Sequence, residues 1–509
     1  MVETLVKNSD FLWQKSKFFL NRVVTYFPFL LIPYWAEEIQ KLNLISQVFL
    51  IIFYLLFMVS QWYLLGKELD HRLKIYYRTN SSLDRIVYRL LLGLSLSILL
   101  LNIIALFPDS IRTYLFWGYF TIIGIFYSWP TRGKIIEESV ATQFEEYKYL
   151  DSFEKNVLYL SIVLVICSIP EIPIFQNIEA LKLFFDPKER VNSQLWEFMN
   201  ILYLPFNGVT KLYNLSWCVH FYFFGITFYL LTLYSILRFF ISRRLSILGA
   251  FAFISSWSVF TILEKDFFAS ISSLFPIIWI WSNLWVTKSS TYRSGFLIGM
   301  INYLGVVLNT NYILLLPIQL ILQYFIFNQD KTLWYRKQIL KYSILGCVLT
   351  IFTFLFISKT DVRILLNTDY ELLLNLKQII QKKGFYFLSL IGVIFLIGVL
   401  FKQQFKLFSF FQIDRNRFNE LIISIIIIFI LGIFFDSTFI RDFTLFFPLV
   451  LFSLIPLEWI FQSITRLRSK RNLIFVLYIL VCLLDSHLDS RMRIFVKNFI
   501  EEETINYIE

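Results

Sequence analysis

Of 509 residues, 57% are hydrophobic and only 16% are charged, with a mean hydropathy of +0.65. A water-soluble domain is about half apolar and about a quarter charged, so this balance excludes an ordinary soluble enzyme and a disordered chain. The net charge of +11 needs another explanation than nucleic acid, and the distribution of apolar runs supplies one.

Runs of about 17–25 apolar residues recur along the chain, the length a helix needs to cross a hydrocarbon core of about 30 Å. They do not alternate in ten-residue segments, as a transmembrane β-barrel would. The expected fold is therefore all-α, a polytopic bundle of about fifteen spans. Met1–Arg22 mixes Leu12, Trp13, Phe18 and Phe19 with Lys7, Lys15, Lys17 and Arg22, a pattern that suits an amphipathic helix on a membrane surface. It has no apolar core of the kind a cleavable signal peptide carries. Four spans are expected at roughly 23–36, 44–65, 86–107 and 113–129. Eleven more are expected at roughly 157–175, 218–237, 246–262, 267–286, 295–308, 312–327, 340–358, 385–401, 420–435, 443–461 and 473–485. This divides the chain into an N-terminal four-span module, 1–150, and a larger membrane domain, 151–509.

With the N-terminus in the cytoplasm and the spans alternating, the inner loops collect Lys67, Arg72 and Arg85, then Arg132, Lys134 and Lys155. Further on they collect Arg243, Arg244, Lys337 and Arg471. About 30 of the 47 basic residues fall inside on this frame, as the positive-inside rule expects. Basic loops facing anionic lipid account for the charge without nucleic acid. The expected location is the plasma (inner) membrane. The exterior face then consists of the 176–217 loop, Glu264–Asp266, Asn309–Asn311, Lys359–Lys383, Asp436–Asp442 and the tail from Ser486.

The cysteines (Cys167, Cys218, Cys347, Cys482) and histidines (His71, His220, His487) are too scattered for a metal set or a disulfide framework. The acids are more suggestive. Glu171, Glu179, Asp186 and Glu189 lie in or just before the long exterior loop, and Glu264-Lys265-Asp266 forms a short turn between two spans. Arg441 and Asp442 open an apolar run, where ionisable residues mark either a substrate pathway or a snorkelling interface. Asp186, followed by Pro187, is either a base at the membrane surface or the punctuation of a turn.

Three stretches resemble the GT-C superfamily of integral-membrane glycosyltransferases, over roughly 157–485. One is the span, long acid-bearing loop with SQLWEFMNILYLPF, and following span. The second runs from RRLSILGAFAFISSWSVFTILEKDFFASISSLFPIIWIW through SGFLIGMINYLGVVLNTNYILLLPIQLIL, and the third is IRDFTLFFPLVLF. The resemblance implies transfer of a sugar from a polyprenyl-phosphate carrier to an acceptor at the extracytoplasmic face. It implies Asp186 or Glu189 as base, with Glu179 and Glu171 behind them and Glu264 and Asp266 as a second acidic position. Lys265 and Arg441 are then the partners of the lipid phosphate. The adjacent Asp-Glu pair frequent in that family is missing here. Whether a divalent cation (Mg²⁺ or Mn²⁺) takes part is left open, as are the sugar and the acceptor. A transporter or flippase of lipid-linked glycans, or a scaffold, is the alternative of another class.

QWYLLGKELDHRLKIYYRTNSSL and GIFYSWPTRGK resemble the first half of UbiA-type intramembrane prenyltransferases, which makes a prenyltransferase relative the second alternative. Asp70 is kept, but Gly66, Lys67 and Lys74 stand where that family has Asn and two Asp. Mg²⁺ requires oxygen ligands, so no working diphosphate site is expected there. Tyr127 and Lys134 remain candidates for contact with an anionic lipid head.

Overall fold

The computed structural model describes 44–73, 82–105, 150–167, 229–238, 241–257, 274–286, 291–308, 310–325, 332–358, 423–430, 438–463, 470–484 and 486–490, with isolated positions between them. Every described element is a helix, and no strand occurs among the described residues. In chain order the helices are α1 (Leu44–Leu73), α2 (Ser82–Ala105), α3 (Ser152–Cys167), α4 (Tyr229–Leu237), α5 (Arg243–Ser255), α6 (Leu274–Val286), α7 (Thr291–Leu308), α8 (Leu315–Phe325), α9 (Leu333–Ser358), α10 (Thr438–Ser463) and α11 (Arg471–Leu484). Counting only described residues, no helix is long and apolar enough to cross a membrane. As backbone, α1 is helical over 30 residues, and Leu44–Leu65 contains no Asp, Glu, Lys, Arg or His.

Most helix positions follow the apolar runs, with informative exceptions. α1 continues to Leu73 and α9 begins at Leu333, each adding polar turns to the expected span. The run expected at 246–262 is broken at Ser256, which has extended backbone (φ −64°, ψ 122°). Ser255 turns its hydroxyl onto the Ala252 carbonyl at 3.1 Å, the local competition through which serine weakens a helix. The run expected at 312–327 opens with a tight turn of 3₁₀ helix, Thr310–Leu314.

Glycines set how closely the helices pack. In the antiparallel α1–α2 hairpin, a Cβ on Gly66 would strike the Arg89 carbonyl, and one on Gly93 the Trp62 carbonyl. α7 and α9 run parallel, since Gly295 faces Tyr342 and Gly299 faces Gly346 as both chains advance. The Gly295-x-x-x-Gly299 spacing lets the two backbones meet, as small residues do between helices in lipid. A Cβ on Gly299 would lie 2.9 Å from the Gly346 carbonyl. Thr350 seals the crossing, its hydroxyl 2.6 Å from the Gly299 carbonyl and 3.0 Å from that of Gly346. Gly346→Val is therefore expected to push the pair apart and to cost at least the usual ~1–3 kcal/mol of overpacking. Thermal unfolding of the detergent-solubilised variant checks this, and an unchanged midpoint would refute it.

Beside an apolar core that includes Tyr88, Phe251 and Trp279, many polar side chains are buried and many large apolar ones are exposed. Gln61, Asp70, Ser95, Ser97, Gln319 and Ser343 are fully buried, while Phe352 is 66% and Leu484 82% exposed. The exposed apolar residues are ordered: Leu345, Val348, Leu349 and Phe352 form one stripe of α9, and Leu473, Val476, Leu477 and Leu480 one stripe of α11. Spacings of three and four place each set on a single helix face.

Candidate functional site

Of the expected site residues, Glu171, Glu179, Asp186, Glu189, Glu264, Lys265, Asp266, Tyr127 and Lys134 lie outside the described residues. Arg441 and Asp442 fall in the opening turns of α10. Asp70 is described in full. The described residues hold four side-chain assemblies, the last of them around Asp70.

The first joins the segments that lead into the expected exterior turns. His487, just beyond α11, places its ring 5.1 Å from that of Trp257, at the end of the broken α5 run and seven residues before Glu264. His487 has a left-handed backbone (φ 45), a conformation that glycine usually supplies after a helix. The ring contact offsets part of that cost. Phe275 at the start of α6 packs 4.7 Å from Tyr312, tying the chain after Asp266 to the Asn309–Asn311 turn. Aromatic contacts thus pair residues that flank three of the segments expected outside.

The second assembly is ionic and lies at the opposite ends of these helices. Asp151 and Glu154 cap α3 reciprocally: the Glu154 N–H donates to Asp151 Oδ1 and the Asp151 N–H to Glu154 Oε2, each at 2.8 Å. This is the two-way capping arrangement at the start of a helix. Glu154, 1% exposed, also accepts both Nε and Nη2 of Arg243 at 3.0 Å, and Arg244 pairs with Asp151. Burial alone would lower the Arg243 pKa, but the hydrogen bonds and charge of Glu154 raise it above the usual guanidinium value. The neighbouring Ser242 N–H donates to Glu458 of α10 at 3.0 Å. Phe475 of α11 closes the junction against Phe153 and Phe461, at 5.5 and 5.2 Å. Residues expected in two inner loops and at two inner helix ends thus converge.

The third is a chain of amides inside α6–α9. Gln319 Oε1 accepts from Trp279 Nε1 at 3.2 Å and from Asn302 Nδ2 at 2.9 Å. Gln319 Nε2 donates to Asn283 Oδ1 at 2.9 Å, and Gln323 Nε2 donates to the same oxygen at 3.3 Å. Both oxygens being doubly engaged, flipping either amide would set donor against donor, so the orientations fix one another. All five side chains are buried, and the network acts as polar glue between apolar helices.

Asp70 belongs to a fourth, smaller group, in the α1–α2 hairpin. Its Oδ2 accepts from Tyr88 at 2.7 Å and from Arg89 Nε at 2.8 Å, and Arg89 donates onward to Tyr63 at 3.1 Å. The carboxylate is thereby committed to a buried ion pair, and Gly66 is explained by the Arg89 backbone it touches. Asp70→Asn is expected to lower the folded yield, since unpairing a buried cation costs about 3 kcal/mol or more. The amount of folded variant recovered by size-exclusion chromatography in detergent checks this, and a yield equal to that of the wild type would refute it.

Sequence reasoning passed over the ionic junction and the amide chain. The Asp151-x-x-Glu154 spacing was a usable signal for the first. For the second, Gln319 and Gln323, one turn apart in an apolar run, pointed to a polar stripe. Their partners lie 36 and 17 residues from Gln319, and nothing local identifies them. Among the described residues no group of His, Cys, Asp and Glu could hold a metal ion. Compared with protein-family models, curated proteins and solved structures, the chain has no match.

Proposed function

We propose that this chain is a polytopic integral-membrane glycosyltransferase, which moves a sugar from a polyprenyl-phosphate carrier to an acceptor at the extracytoplasmic face. The observation that carries the membrane part is the pairing of exposed apolar stripes with buried polar groups. Amides, serines and ion pairs lie inside, while α9 and α11 turn stripes of leucine, valine and phenylalanine outward. In water such stripes would be removed by association; in hydrocarbon they are the expected lining. Supporting it, Leu44–Leu65 of α1 would reach about 33 Å as helix, the thickness of a hydrocarbon core. The convergence of Asp151, Glu154, Arg243, Arg244 and Glu458 at one end, and of Trp257 with His487 at the other, agrees with the alternating frame.

The chemistry rests on the exterior acids and on the resemblance of their layout to GT-C enzymes. A carboxylate at Asp186 or Glu189 takes the proton of the acceptor hydroxyl as its oxygen attacks the sugar's anomeric carbon. Lys265 and Arg441 stabilise the charge that grows on the departing lipid phosphate. Purified protein in lipid vesicles, given polyprenyl-phosphate-linked sugars, should release polyprenyl phosphate in step with acceptor glycosylation. Bulk movement of the intact lipid-linked sugar across the vesicle wall without its cleavage would favour a flippase instead.

A further inference from the structure

On the exposed side of α9 the residue type changes abruptly along the helix. Trp334 (67% exposed), Lys337 and Lys341 share one face in the first turns. From Ile344 onward the exposed positions Leu345, Val348, Leu349 and Phe352 are all apolar. The basic residue between the lysines and the helix start is already engaged: Arg336 donates through Nε to the Tyr324 carbonyl at 2.8 Å and lies 5.0 Å over the Tyr324 ring. The two lysines therefore form the outward charge of this helix. The same change occurs on α11, where Lys470 and Asn472 precede the exposed Leu473, and on α3, where Asn156 precedes Tyr159.

We propose that the Trp334–Lys337–Lys341 face is a binding surface for anionic lipid headgroups of the cytoplasmic leaflet. The proposal rests on the membrane reading above. Lysine stems lie along apolar surface while the ammonium reaches the headgroup layer, and an indole ring favours that same layer. An exposed apolar stripe directly above two lysines and a tryptophan complements a lipid on three counts: acyl chain, interface and phosphate. A soluble partner would leave the stripe from Leu345 to Phe352 unexplained. Each lysine near an anionic surface favours association about fivefold.

The test uses the full chain extracted in detergent and exposed to equimolar phosphatidylglycerol and phosphatidylcholine, with bound lipid counted by native mass spectrometry. Wild type should retain phosphatidylglycerol preferentially, and Lys337→Gln with Lys341→Gln should reduce that preference by tenfold or more. The double arginine variant should keep it, which separates loss of charge from misfolding. No preference in wild type, or an unchanged preference in the glutamine variant, would overturn the proposal. So would displacement of the lipid by millimolar inorganic phosphate, which would mark a free-phosphate site. In parallel, spin labels at Val348 and Phe352 in vesicles report on the membrane reading itself. Labels reached by oxygen but not by a water-soluble nickel chelate support it. The opposite accessibility contradicts that reading and the headgroup proposal with it.

Discussion

Asp186→Asn is expected to lower sugar transfer by about 10²–10⁴-fold, the usual contribution of a general base, while protein level and donor binding persist. Asp186 follows Leu181–Phe185, apolar apart from Lys182, and precedes Pro187. A carboxylate entering from an apolar segment at a membrane surface is partly desolvated, which favours the proton-accepting role. Asparagine suits a turn as well as aspartate does, so a residue that merely punctuates the chain would tolerate the exchange. Turnover of purified variant against wild type, with donor affinity measured separately, distinguishes the two. If Asp186→Asn is active and Glu189→Gln inactive, the base is reassigned and the mechanism stands. If Glu171, Glu179, Asp186, Glu189, Glu264 and Asp266 can all be neutralised without effect, the proposed chemistry is wrong.

The largest effect on stability is expected at Glu154. Glu154→Ala removes both hydrogen bonds from Arg243 and the cap on the Asp151 N–H. Breaking a buried ion pair by deleting one partner costs about 3–5 kcal/mol. The Arg243 side chain is 36% exposed, and water reaching it places the loss near the lower bound. Thermal unfolding of Glu154→Ala, Arg243→Ala and the double variant gives the coupling directly. The double variant should be less destabilised than the sum of the two singles. A loss under about 1 kcal/mol for Glu154→Ala would show that the junction contributes little, as surface ion pairs usually do.

Helix positions were legible in the sequence because hydrophobic run length is a local quantity. α2, α7 and α11 fall within a few residues of the expected spans. What local reasoning missed depends on partners far along the chain. Gly66 reads as a departure from a metal-binding pattern until the Arg89 carbonyl is seen against it. α5 ends at Ser255, and Ser256 takes extended backbone inside a run whose length suggested one continuous helix. Arg243 and Glu154 are separated by 89 residues. The expected span limits leave both in inner loops, but they do not pair them. The acids of the proposed reaction were legible as residue types at an expected face, and their mutual geometry lies outside the described residues.

The central claim is a bundle of helices in a bilayer with its acid-bearing loop outside, and cysteine accessibility tests it most directly. In a chain with Cys167, Cys218, Cys347 and Cys482 replaced, single cysteines are placed at Ser193, Ser490, Thr142 and Thr332. Intact cells or sealed vesicles are then treated with a membrane-impermeant maleimide. Ser193→Cys and Ser490→Cys should label from outside at once, and Thr142→Cys and Thr332→Cys only after the membrane is opened. Protection of the Ser193 position with labelling at Thr142 would invert the frame and remove the proposed catalytic face.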